Sequence, residues 1–146
     1  AARLDLSPTA AARRLQRLEE QGVVRGYRLE IDWRRLGFEV TAFVTVTLAR
    51  QSDDVIQGFE TTVVQFPEVL EVHLMTGTSD YLLRVLVRDL AAYEAFLKQK
   101  LTRIRGVAHV QTAFALSALK AGPPPVAMLA KPERKAPSRK PARGRC

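Results

Sequence analysis

Cysteine and histidine are scarce in this chain. Its 146 residues include two histidines and one cysteine, Cys146. A single cysteine forms no internal disulfide and supplies no multi-cysteine metal site. No apolar run approaches the roughly 20 residues that a membrane-spanning helix needs, and the N-terminus lacks the charged-then-apolar pattern of a signal peptide. We therefore expect a cytoplasmic protein with no cofactor, no metal and no membrane partner.

Catalytic motifs are missing as well. The chain contains no P-loop, no G-x-S-x-G and no dinucleotide fingerprint. His73 and His109 fall in predicted strands, without a second ligand at metal-binding spacing. No catalytic residue is predicted, and we do not expect an enzyme. A small enzyme with a ferredoxin-like fold is a third hypothesis, after the two binding functions given below. A catalytic activity that is lost on Asp80→Asn would support it.

Positive charge is concentrated at the two ends of the chain. The net charge is +8 overall, but residues 120–146 hold eight Lys or Arg against one acidic residue. Residues 1–119 hold fifteen basic and fourteen acidic residues. Because residues 120–146 are rich in Pro, Ala, Lys and Arg, they predict a disordered basic tail. That tail either binds DNA weakly through counterion release or only promotes solubility.

A helix with its own start and stop signals lies near the N-terminus. Ser7 is a good N-cap, Pro8 suits the first helical position, and Gly22 supplies the left-handed residue that ends a helix. An apolar stripe at +4 and +7 spacing marks the inward side: Ala11, Leu15 and Leu18.

The opposite side of this helix is basic. Arg13, Arg14 and Arg17 lie there. A capped helix with an arginine face suits the major groove of DNA, since arginine pairs bidentately with guanine and a helix N-terminus favours phosphate. The alternative is that the three arginines form an ordinary solvated face.

Hydrophobic periodicity organises the rest of the chain. Residues 27–31 predict a short strand, and residues 32–36 predict a helical turn closed by Gly37. The later elements are strands at 43–48, 70–75, 81–87 and 107–119, helices at 55–66 and 90–104, and a turn at 77–80. This β-α-β-β-α-β order predicts an α+β, ferredoxin-like domain with a four-stranded antiparallel sheet. Two helices cover one face, and a second copy would cover the other. Arg84 is expected to pair with Glu71 or with another acidic residue across the sheet.

Several short motifs occur in a characteristic order: Leu6-Ser7-Pro8-Thr9, Arg14-Leu15 with Leu18-Glu19, Gly22, Tyr27, Gly77-Thr78-Ser79-Asp80-Tyr81 and Gly106-Val107. In this spacing the chain resembles the Lrp/AsnC, or feast/famine, family of bacterial and archaeal transcription regulators. The similarity covers roughly residues 1–119.

The resemblance implies a winged helix-turn-helix followed by an effector-binding and dimerisation domain. Residues 7–21 would be the recognition helix, with double-stranded DNA contacted by Ser7, Thr9, Ala10, Arg13, Arg14 and Arg17. A small amino-acid-like effector would bind between dimers, near the turn formed by Gly77, Thr78, Ser79, Asp80 and Tyr81. Gly77 would let backbone amides approach a carboxylate, and Asp80 would face an ammonium; alternatively, the segment is simply a β-turn. Homodimers would form through the sheets and join into larger assemblies.

The chain departs from the family pattern at its beginning. Family members carry about two helices before the point where this sequence starts, and here only AARLDL precedes Ser7. We therefore divide the chain into a truncated helix-turn-helix remnant (1–28), a connector (29–39), the effector and oligomerisation domain (40–119) and the tail (120–146). The leading hypothesis is an effector-responsive DNA-binding regulator. The alternative is an effector-sensing or oligomerisation module that no longer binds DNA specifically.

Overall fold

The computed structural model describes residues 7–122. Its first element is helix α1, Pro8–Glu20. The hydroxyl of Ser7 accepts a 3.3 Å hydrogen bond from the Ala10 amide, which confirms the predicted N-cap. Gly22 has φ of 71° and its amide donates to the Glu19 carbonyl at 2.9 Å, so the predicted helix end is also confirmed.

Four strands and two helices follow in the predicted order. They are β1 (Val40–Leu48), α2 (Asp53–Val63), β2 (Val69–Leu74), β3 (Tyr81–Val87), α3 (Leu90–Gln99) and β4 (Val107–Ala115). The sheet order is β2-β3-β1-β4, and β3 pairs antiparallel with both β1 and β2. This is the ferredoxin-like arrangement with an antiparallel four-stranded sheet that the periodicity predicts.

The core lies between the sheet and the two helices. Alternate residues of β1 are buried because side chains alternate between the two faces of a strand: Ala42, Val44, Val46 and Leu48. Phe59 of α2, Phe96 of α3 and Leu83 of β3 are buried against them. The opposite sheet face carries Phe43, whose side chain is 40% exposed.

Three predicted boundaries are wrong. Helix α3 ends at Gln99 rather than at residue 104, since Lys100 has φ of −119°. A separate 3₁₀ turn covers Leu101–Arg103. The last strand ends at Ala115 rather than Leu119. Helix α2 ends at Val63, so Phe66 packs against the core from beyond it.

The predicted strand at 27–31 is not formed. Residues 25–32 have neither helical nor strand structure, and the side chain of Leu29 is 88% exposed. Alternating apolar residues become a strand only when a neighbour completes the backbone hydrogen bonds. The helical turn that follows is confirmed as a 3₁₀ turn, Trp33–Leu36, closed by Gly37 at φ of 82°.

Strand β2 contains an irregularity that the sequence pattern conceals. Val69 pairs with Val85, but Glu71 pairs with the next residue, Arg84, so the register shifts within β2. Such a bulge turns the following side chains to the other face. Val69 and Val72 therefore pack against the core, whereas Leu70 is exposed.

Most of the predicted basic tail, from residue 123 onward, lies outside the described residues, as does the segment before Ser7. Residues 116–122 contain no helix or strand. Among the described helices, none has both the length and the apolar character required to cross a membrane.

Candidate nucleic-acid interface and effector turn

Helix α1 presents its predicted DNA-contacting residues to solvent. Thr9 and the three arginines, Arg13, Arg14 and Arg17, are exposed, and Ala10 is half-buried. Ser7, also exposed, holds the Ala10 amide through its hydroxyl, so it acts as a cap. No acidic residue lies in the first turn of α1, where the helix N-terminus carries a partial positive charge.

The apolar side of α1 is only partly covered. Leu15 and Leu18 are 40% and 39% exposed, and no α1 residue is buried in the part of the chain that the structure describes. The segment after α1 returns to it, since the Tyr27 hydroxyl donates to Glu19. This hydrogen bond raises the pKa of Tyr27 above its usual value.

Two further arginines follow α1. Arg25 and Arg28 line an open groove together with Gly26 and Tyr27. The predicted strand covers residues 27–31, so Arg25 lies before it, and neither arginine was among the predicted DNA contacts. Arginines on both sides of an aromatic residue, beside a basic helix, are a pattern typical of nucleic-acid binding.

The predicted effector turn connects β2 to β3, and its two parts differ in their exposure to solvent. Gly77 and Thr78 are exposed, Ser79 and Asp80 are half-buried, and Tyr81 is 2% exposed. Gly77 has φ of 109°, and a Cβ built there meets nothing within 4 Å. The turn therefore has an accessible tip over residues 77–79 and an anchored base.

Asp80 anchors the base of the turn. Its Oδ2 accepts a 2.7 Å hydrogen bond from the Leu48 amide, and its Oδ1 accepts a 2.8 Å bond from the Gln51 side chain. The Asp80 amide also donates to the Val46 carbonyl at 2.9 Å. Both carboxylate oxygens thus have partners within this chain. Gln51 lies 29 residues away along the chain, so no local pattern in the sequence predicted this partner.

Tyr81 is part of the core. Its hydroxyl donates to Glu60 Oε1 at 2.8 Å, and its ring lies 4.6 Å from the Phe59 ring, centroid to centroid. Burial, followed by the hydrogen bond to Glu60, raises the pKa of Tyr81 to about 12. The side chain of Tyr81 therefore lies beneath the turn rather than at its surface.

The exposed sheet face carries a charged cluster. Arg84 Nη2 lies 2.6 Å from Glu71 Oε1, which confirms the predicted pair, and His73 Nε2 lies 3.2 Å from Glu71 Oε2. The hydrogen bond from His73, and then the charge and hydrogen bond of Arg84, hold the pKa of Glu71 below its usual value. Within residues 7–122, no group of three His, Cys, Asp or Glu side chains is arranged to hold a metal ion.

An open groove of about 270 Å³ borders the start of α2. Its walls include Arg50, Arg105, Asp54 and Gly106. A hydrogen bond from Ser52, with a weaker contribution from the charge of Arg105, holds the pKa of Asp54 below its usual value.

Two segments of the chain match known protein families. The model of the Lrp/AsnC ligand binding domain matches residues 41–125, and that of a winged helix-turn-helix DNA-binding domain matches residues 1–25. The Bkd operon transcriptional regulator of Pseudomonas aeruginosa is 44% identical over 126 residues, covering 85% of this chain and 82% of that protein. The leucine-responsive regulatory protein of Escherichia coli is 39% identical, covering 75% of this chain and 67% of its own length.

The fold is also similar to that of a solved transcription regulator. A transcriptional regulator from Neisseria meningitidis, in complex with L-Met, superposes with a TM-score of 0.83 at 32% identity, covering 88% of this chain and 84% of that one. Because the ligand-binding-domain match spans more than half of the chain and the Pseudomonas relative aligns with most of it, this protein belongs to the Lrp/AsnC family.

Proposed function

We propose that this protein is a DNA-binding transcription regulator whose affinity for DNA changes when a small amino acid binds. The observation that carries the proposal is the presence, in one chain, of matches to a winged helix-turn-helix and to a Lrp/AsnC ligand binding domain. The Neisseria relative was solved with L-Met bound, and the Escherichia coli relative is named for its response to leucine.

DNA contact is assigned to the outer side of α1. At about 100° per residue, Thr9, Arg13 and Arg17 lie together on the side opposite Leu15. Arg14 lies at the border of this side, close to Leu18. Arg13, Arg14 and Arg17 would reach base edges or phosphates, whereas Ser7 and Thr9 would contact phosphate near the helix N-terminus.

Effector contact is assigned to the tip of the turn. The amides around Gly77 and the hydroxyls of Thr78 and Ser79 suit an amino acid carboxylate, since the region is accessible and the glycine permits close approach. Asp80 and Tyr81 would support this tip from beneath through their hydrogen bonds to Leu48 and Glu60. Their role is to position the tip.

A homodimer through the exposed sheet face is the third part of the proposal, and larger assemblies would be built from such dimers. Phe43 and Met75 are 40% and 41% exposed, and Leu82 is half-buried beside them. Phe43 pairs with Arg84, so this apolar surface adjoins the charged cluster of Glu71 and Arg84. A second copy would bury the apolar part of this face.

A selection experiment tests the DNA-binding part. The full chain is used to enrich duplexes from a random DNA pool, and fluorescence anisotropy then gives the affinity of an enriched duplex across a salt series. Arg14→Ala or Arg17→Ala is expected to weaken binding about 5- to 150-fold if the side chain reads a base. If the side chain contacts only phosphate, the salt slope falls by about one. Arg35→Ala removes the same charge from the connector and serves as the control.

One observation favours a second function. Leu15 and Leu18 remain partly exposed, so tertiary packing supports α1 only weakly. Weak support of α1 is consistent with an effector-sensing or oligomerisation module that does not bind DNA specifically. Failure of the chain to enrich any sequence, while it still binds L-methionine or L-leucine in a calorimeter, would favour this module over the regulator.

A further inference from the structure

The end of the connector, residues 29–39, contacts the ligand-binding domain at Arg88. Arg88 follows β3, and its Cζ lies 4.6 Å from the centroid of the Phe38 ring. Its Nη1 donates to the Leu36 carbonyl at 3.3 Å. The Arg88 carbonyl accepts from the Glu39 amide at 3.3 Å. Arg88 thus contacts three residues at the end of the connector.

The end of the connector reverses direction next to Arg88. Gly37 has φ of 82° and closes the 3₁₀ turn Trp33–Leu36, so the chain reverses and brings Phe38 back to Trp33. The Phe38 amide donates to the Trp33 carbonyl at 3.0 Å, and their rings lie 5.9 Å apart, edge to face. A Cβ at Gly37 would lie 3.0 Å from Arg88 Nη1, so the glycine also leaves room for the guanidinium.

Arg88 also lies at a junction within the domain. It follows Val87, the last residue of β3, and precedes Asp89, whose carboxylate caps α3 by accepting from the Ala92 amide at 2.7 Å. The other end of β3 begins at Tyr81, directly after the proposed effector turn. Strand β3 pairs on both sides in the sheet and spans about 23 Å. One stiff strand therefore joins the turn to the connector contact.

We infer that the contact of Arg88 with Phe38 and Leu36, called the clasp below, couples amino-acid binding to DNA binding. When the guanidinium is stacked on Phe38 and bonded to Leu36, it fixes the direction in which the connector leaves the domain toward α1. An exposed cation–π contact shifts such an equilibrium by only about two- to fivefold, so the clasp opens readily. A small displacement of β3 caused by an amino acid at the turn then changes how often the clasp is closed. This coupling role rests on the proposed function.

Trp33 reports directly on the clasp because it is the only tryptophan in the chain. Its side chain is 40% exposed and packs against Phe38. Arg88→Ala or Phe38→Leu is expected to shift Trp33 emission to the red and to raise its acrylamide quenching constant about twofold, with an unchanged circular dichroism spectrum. Arg88→Lys keeps the charge but not the planar fork, so it gives an intermediate value. Arg35→Ala, in the same 3₁₀ turn, leaves the quenching constant unchanged.

The coupling is measured as the ratio of DNA affinities with and without saturating L-methionine or L-leucine. In Arg88→Ala this ratio is expected to fall to within twofold of one, while the affinity for the amino acid itself changes less than twofold. Unchanged Trp33 quenching in both Arg88→Ala and Phe38→Leu, or a wild-type ratio in Arg88→Ala, would overturn the inference. If the wild type shows no response to either amino acid, the proposed function and the coupling role both fail, and the Trp33 measurement still decides whether the clasp exists.

Discussion

The carboxylate of Asp80 binds the backbone amide of Leu48 at 2.7 Å, joining the turn before β3 to the end of β1. Its second oxygen holds Gln51, in the loop that leads into α2. The predicted effector turn is therefore fixed to the sheet by the one carboxylate that it contains. Three different segments meet at this side chain.

Removing the Asp80 carboxylate is expected to destabilise the fold. Asp80→Ala leaves the half-buried Leu48 amide without its acceptor, so we expect a loss of about 1–3 kcal/mol in the free energy of unfolding. Asp80→Asn keeps one acceptor oxygen and is expected to lose less. Urea denaturation followed by circular dichroism measures both, with Ser79→Ala as the neighbouring control.

The same variants distinguish positioning from direct contact with the effector. Asp80→Asn is expected to bind L-methionine or L-leucine within a few-fold of the wild type. Loss of binding without any change in the urea midpoint would instead place Asp80 against the ammonium group of the amino acid.

Tyr81 is expected to make the stability of the fold sensitive to high pH. Burial and the bond to Glu60 raise the pKa of Tyr81 to about 12, above the ordinary value of 10.0 for tyrosine. A group whose pKa is higher in the folded state contributes stability that is fully present below pH 10 and is lost as the pH rises toward 12. The urea midpoint is therefore expected to fall over this interval. Tyr81→Phe should flatten the fall, whereas Tyr27→Phe should alter it less. Identical alkaline profiles for Tyr81→Phe and the wild type would contradict this assignment.

Gly106 lies between the 3₁₀ turn Leu101–Arg103 and β4, at a position where no side chain fits. It has φ of 95°, and a Cβ there would lie 2.3 Å from Cγ1 of Val55. Gly106→Ala is expected to cost about 2–4 kcal/mol through backbone strain and overpacking. Val55→Ala in the same chain should recover part of this loss, since it removes the obstructing methyl group.

Gly58 provides the matched control for this glycine. It lies within α2, and a Cβ there meets nothing within 4 Å. Gly58→Ala is expected to stabilise the protein by about 0.5–1 kcal/mol. If Gly106→Ala and Gly58→Ala changed the melting temperature equally, the predicted clash with Val55 would be wrong.

The exposed sheet face is expected to hold two copies together. Phe43→Glu places a charge on the side opposite the core, where it would be buried by a partner, so it should convert a dimer into monomers in sedimentation velocity. Val64→Glu alters another exposed apolar residue, next to α2, and should leave the dimer intact. A wild-type sedimentation coefficient for Phe43→Glu would move the interface elsewhere.

Local patterns in the sequence predicted most of the fold. Ser7, Pro8 and Gly22 marked α1 because capping depends on neighbouring residues, and the alternation of Val44, Val46 and Leu48 marked β1. The sequence did not predict the register shift in β2, since a bulge depends on the partner strand.

The candidate site was predicted less completely. The turn at 77–81 was located by its composition, but the partners that hold it, Gln51 and Glu60, are remote in sequence and became apparent only in the folded chain. The contact of Arg88 with Phe38 was missed for the same reason, since fifty residues separate the two side chains.

The most direct test of the central claim is the affinity of the full chain for an enriched DNA duplex, measured by anisotropy while L-methionine or L-leucine is titrated. A coupling of the size found in ligand-responsive proteins predicts a change in apparent Kd of about fivefold or more for at least one of the two amino acids. The same Kd at every concentration, for both amino acids shown by calorimetry to be bound, would contradict the account.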